Sequence, residues 1–159
     1  MRECWVRAIS TRRQLIRERW EGLLRAERAN SPLANPDALA HLIEWTLDEV
    51  LKELRKPRAH HKTAPAPSMG SLRADCQCGR NPYFIHFMAG EQAMLEALVH
   101  VQAEATPLDP EHRDEAVAEL YAVTRQIAKR EVDAFCSLCQ HRAALPVAPA
   151  AAASTTAVR

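Results

Sequence analysis

Apolar residues recur at the three- and four-residue spacing of amphipathic helices in four separate stretches of this chain. Leu15, Ile16, Trp20, Leu23 and Leu24 fall on one face of a helix over residues 12–28, opposite Arg17, Glu18, Glu21, Arg25 and Arg28. Leu39, Leu42, Ile43, Leu47, Val50 and Leu54 form a second stripe from Pro36 to Arg55, with Trp45 standing off it. A third helix over 82–105 carries Phe84, Phe87, Met88, Met94, Leu95, Leu98 and Val99 on a broad apolar face, as expected of an element covered by more than one neighbour. The fourth, over 110–135, turns Val117, Leu120, Val123, Ile127 and Phe135 inward.

Each stretch has its own start signal. Thr11-Arg12-Arg13-Gln14 has the form of a capping box. Asn35-Pro36, Asn81-Pro82 and Asp109-Pro110 each pair an Asx cap with a proline that needs no amide partner in the first turn. In the fourth helix Glu111, Asp114 and Glu115 come early and Arg125, Lys129 and Arg130 late, which complements the macrodipole.

Residues 56–75 mix proline, glycine and polar residues without an apolar period and predict a flexible connection. Residues 143–159, alanine- and proline-rich with nothing large to bury, predict a disordered tail. The expected organisation is a single helical domain over 1–142, an all-α antiparallel four-helix bundle with one long connection.

Composition agrees. The chain has 159 residues, enough for one domain, and its 47% hydrophobic but only 5% aromatic content favours close-packed helices over strands. A formal charge of +1 supplies no field to gather nucleic acid or an anionic membrane surface. The first 30 residues hold eight arginines against four glutamates, yet Arg17, Glu21 and Arg25 stand at ion-pair spacing on a solvated face. With no apolar run of membrane-spanning length and no signal-peptide pattern at the N-terminus, a cytoplasmic location is expected.

Five cysteines bring in chemistry. Cys4 stands alone, whereas Cys76-Gln77-Cys78-Gly79 and Cys136-Ser137-Leu138-Cys139 form two tight pairs. In a reducing compartment such pairs are more often metal ligands or redox thiols than disulfides. The third and fourth helices, each roughly 35–40 Å long and joined by the short turn Thr106–Asp109, must run antiparallel, so their far ends meet. Cys76, Cys78, Cys136 and Cys139 then converge where four sulfurs at about 2.3 Å can surround zinc. Gly79 permits the turn that a close ligand pair needs. His141 is a reserve ligand, and Arg73, Arg80, Lys129, Arg130 and Arg142 offer positive charge near the thiolates. An iron–sulfur cluster is the alternative to Zn2+, and unligated redox thiols are the reading without a metal. His60 and His61 are adjacent residues in the predicted flexible connection and are read as solvent-exposed.

Glu91 and Glu131 lie within apolar arcs of the third and fourth helices. A buried carboxylate is either a functional acid/base group or one satisfied by a neighbour, and the antiparallel register sets Glu91 level with Thr124 and Arg125. No P-loop, dinucleotide-binding, serine-hydrolase or zinc-protease motif occurs, and the doubled Glu-x-x-His of di-iron bundles is missing. The segments Arg19-Trp20-Glu21-Gly22-Leu23-Leu24 and Leu42-Ile43-Glu44-Trp45-Thr46-Leu47 faintly resemble the helical N-terminal sensor domains of some bacterial stress-response regulators. That resemblance spans about a third of the chain, rests on no diagnostic motif and does not involve the cysteines. The expected function is a zinc-binding helical bundle with a structural metal, acting as a regulatory or protein-interaction module. Its partners would be proteins, a second copy of the chain among them. The contrasting expectation is a thiol redox sensor or an enzyme using Glu91 and Glu131.

Overall fold

The computed structural model describes residues 3–28, 32–56, 67–75, 80–104 and 110–139, without the side chains of 73–75. Among these residues the chain is all-helical and has no strand. The α-helices are α1 (Glu3–Thr11), α2 (Arg13–Ala26), α3 (Pro36–Ala40), α4 (Ile43–Leu54), α5 (Met69–Asp75), α6 (Tyr83–Glu104) and α7 (Pro110–Leu138), with a single 3-10 turn at Pro32–Ala34.

The apolar stripes are buried in the main, but Met88 and Val99, placed by their period on the broad apolar face of the third helix, are about half exposed, because the neighbours of α6 do not cover it all round. Ile16, Trp20 and Leu24 of α2 are buried, whereas Leu15 is 61% exposed. Ile43, Leu47, Val50 and Leu54 of α4 go inside, while Trp45 remains 44% exposed. Asn35 caps α3 through its side-chain oxygen, which accepts from the Asp37 amide at 3.0 Å. On the outer face of α2, Arg17 bonds Glu21 at 2.9 Å and Arg25 lies 3.7 Å from the same carboxylate.

Three features differ from the sequence expectation. First, the chain is already helical from Glu3, and Trp5, Val6 and Ile9 seal α1 onto the core. Thr11 ends that helix rather than capping the next: its hydroxyl donates to the Ala8 carbonyl at 2.9 Å, and α2 begins without a side-chain cap. Second, the predicted 36–55 helix is stepped at His41–Leu42, where the Leu42 amide bonds the Leu39 carbonyl in a 3-10 pattern. Third, the predicted 56–75 connection contains α5. Ser68 accepts from the Ser71 amide at 3.0 Å and Leu72 is fully buried, so one cap and one anchor suffice for two turns of helix. The rest of that predicted connection from 57 to 66, including His60 and His61, lies outside the described residues, as do the predicted turn at 106–109 and the predicted tail at 143–159.

Helix α6 is central, packing against α1, α2, α5 and α7. Helices α2 and α7 run antiparallel to it, as cross-links at successive levels demonstrate. Tyr83 meets Phe135, Glu91 meets Arg125 and Gln102 meets the Arg113 carbonyl along α7. Arg19 meets Glu96 and Arg12 meets Glu104 along α2. Helix α4 packs on α7, α1 and α2.

Candidate metal centre

Asn81 stands at the junction of the two ends that the sequence pairs. It is fully buried, and its side-chain oxygen accepts from the Tyr83 amide at 2.9 Å, the cap that starts α6. Because that amide can only donate, the oxygen must face it and the NH2 group must point the other way. The NH2 donates to the Val132 carbonyl at 3.3 Å and to the Cys136 sulfur at 3.4 Å, both on the last turns of α7. The ring of Tyr83 closes edge-on against Phe135 at 5.8 Å between centroids. One side chain thus caps one helix and clasps the end of the other.

Cys136 lies in the final turn of α7 and packs partly against the core. Cys139 follows one residue beyond the helix, its amide bonded to the Cys136 carbonyl at 3.3 Å, and both cysteines are half-buried. Cys76, Cys78 and Gly79, and the reserve ligand His141, lie outside the described residues. No group of three or more His, Cys, Asp or Glu side chains gathers around one point among the described residues, which include only two of the four candidate ligands. Cys78 is three residues before Asn81, so the chain between them spans no more than about 11 Å.

The basic residues proposed around the thiolates are engaged differently. Lys129 bonds Asp133 at 2.7 Å, and Arg130 bonds Glu131 at 2.9 Å while lying 4.0 Å from Glu49. Arg80 is exposed at the approach to α6. The side chain of Arg73, and Arg142 altogether, lie outside the described residues. The neutral amide of Asn81 touches the Cys136 sulfur. Sequence alone marked that residue only as a helix cap.

The two candidate carboxylates part company. Glu91 has a 13% exposed side chain, and both its oxygens bond the Arg125 guanidinium, at 2.8 and 2.9 Å. Arg125 also lies 4.3 Å over the Tyr121 ring. The Glu91 bonds are the main reason its already high pKa rises further. Glu131 is half-buried, with Arg130 as its partner.

A second buried polar cluster, not anticipated from sequence, sits where α2, α4 and α6 meet. His86 of α6 is fully buried, with its Nε2 2.9 Å from the Thr46 hydroxyl and its Nδ1 without a partner. Trp20 lies against the imidazole at 4.8 Å and donates its indole N–H to the His86 carbonyl at 2.9 Å. Burial lowers the His86 pKa to about 3, so the ring is neutral at physiological pH. Its only signal in the sequence was a histidine between Phe84 and Phe87.

Comparison of the chain with protein families, with curated proteins and with solved structures gave no match.

Proposed function

We propose that this chain is a helical bundle closed at one end by a structural zinc ion held by Cys76, Cys78, Cys136 and Cys139, and that it serves as a regulatory or protein-interaction module. The observation that carries the reading is the Asn81 clasp. It ties the residue three positions after Cys78 directly to the turn that bears Cys136, so both cysteine pairs need only a few residues of chain to meet. Four thiolates from two helix ends would leave no position for water, as suits a metal that holds structure rather than one that reacts. The ring of packing in which α2 adjoins α6, α6 adjoins α7, α7 adjoins α4 and α4 adjoins α2 supports the bundle.

A surface for a protein partner is available on α6. Met88 and Val99 are 49% and 55% exposed among the described residues, and with Met69, Leu95 and Tyr121 they line a groove of about 480 Å3. Glu91 opens on the same groove, but its doubly bonded carboxylate suits a structural partner of Arg125 better than an acid/base group.

Metal analysis of the purified protein tests the proposal. About one zinc per chain is expected, with thiols protected from alkylation until a chelator is added. Cys136→Ser should release the metal and lower Tm, whereas His141→Ala should be nearly silent. Metal-free protein with freely reactive thiols would end the proposal, and iron with acid-labile sulfide would replace zinc by a cluster.

A further inference from the structure

We infer that Asn81 is a positioning residue for the metal site, donating an N–H···S hydrogen bond that holds and stabilises the Cys136 thiolate. The inference rests on the zinc reading above and adds a residue that is not itself a ligand. Asn81 is fully buried and its orientation is fixed by the Tyr83 amide, so its NH2 group has a defined direction. One hydrogen goes to the Val132 carbonyl, within the helix that carries the sulfur, and the other to Cys136. The bond to Val132 sets where the amide sits relative to the ligand before any metal arrives.

A thiolate bound to a cation keeps much of its negative charge, and in a site set against a core that charge needs a donor. A neutral amide supplies the hydrogen bond without altering the net charge of the centre. It also couples metal binding to the α6–α7 contact, because the same side chain caps α6.

The test uses the full chain and Co2+ as the probe, with Zn2+ affinity read by competition against a chromophoric chelator. Two variants keep the α6 cap while removing the donor to sulfur. Asn81→Ser retains a capping hydroxyl too short to reach Cys136, and Asn81→Asp is isosteric but turns an oxygen toward the thiolate. Both should bind Zn2+ at least tenfold more weakly, by analogy with other residues that orient metal ligands. Both should also shift the sulfur-to-cobalt charge-transfer band to lower energy, because a thiolate without its hydrogen bond gives up an electron more easily. A residue that only caps α6 would leave that band in place.

If the wild-type chain binds Co2+ through thiolates and a folded variant, checked by circular dichroism, binds within twofold of it with an unshifted band, the inference about Asn81 fails and the zinc site stands. If the wild-type chain shows no thiolate–cobalt band at all, the zinc reading fails first and this inference goes with it.

Discussion

Helix α6 buries polar groups in two places, and they do different work. In its first turn, His86 meets Thr46 and Trp20 inside the core, with apolar neighbours closing over the cluster. At its start, Asn81 meets the Val132 carbonyl and a cysteine sulfur beside the segment that carries two more cysteines. In the His86 cluster each hydrogen bond joins α6 to another helix, so a slip of one residue would strand a buried donor or acceptor, and the polar groups fix register. At the start of α6 the polar group is aimed at a thiol, which can take a metal. Burial of a polar side chain therefore does not by itself mark a functional site; the chemistry of its partner does.

The sharpest way to break the His86 cluster is steric. Gly90 stands one turn after His86, and a Cβ there would meet the indole ring of Trp20, its distance to Cε2 being only 2.6 Å. Trp20 is fully buried and its N–H is committed to the His86 carbonyl, so the ring cannot turn aside cheaply. Gly90→Ala should cost about 3 kcal/mol despite alanine's better helix propensity, measured by chemical denaturation. A neutral or stabilising result would mean that the Trp20 ring is not held as described. Asn81→Ser, by contrast, should show most clearly in metal affinity.

A smaller effect separates the clusters by pH. His86 has a folded pKa of about 3 against an ordinary value near 6.5. Between those values the unfolded chain binds a proton that the folded chain refuses, so stability falls as pH drops, by about 1.4 kcal/mol per pH unit below 6.5. At pH 5 the loss is about 2 kcal/mol relative to pH 7. His86→Gln should remove that slope whatever its effect at neutral pH. The difference between the two proteins cancels contributions from the thiols, which both share. A variant with the wild-type slope would assign the acid sensitivity elsewhere.

Much of this architecture was legible in the sequence because it is local. The α2, α4 and α6 stripes and the Asn35 and Asn81 caps depend on residues within a few turns of one another. Even the Glu91–Arg125 pair followed from counting along two helices separated by only a few residues of sequence. What escaped were local patterns with two readings and contacts across the core. Thr11 to Gln14 fits a helix start, yet the hydroxyl satisfies the end of α1 instead. The apolar arc of α6 covers so much of its circumference that periodicity could not single out His86, whose partners lie 40 and 66 residues away. Asn81 was readable as a cap because Tyr83 is two residues away, but its NH2 group reaches a helix more than fifty residues distant. For the candidate centre, the sequence identified Cys136 and Cys139 but not the amide beside them.

The mildest test lies further along α6 than either cluster, at Glu91 and Arg125. Their bidentate pair joins α6 to α7 with side chains 13% and 25% exposed, buried enough to matter and wet enough to be screened. Glu91→Gln keeps the shape and can still offer one oxygen to the guanidinium, so the expected cost is about 1 kcal/mol. Zn2+ content and the cobalt spectrum should stay unchanged, because the pair is separated from Cys136 by three turns of α7. A variant that lost metal would tie Glu91 to the centre and remove the distinction between a polar contact that fixes register and one that meets a ligand. A variant that kept its metal and lost about that much stability would place Glu91 with His86, among the groups that hold α6 in register against its neighbours.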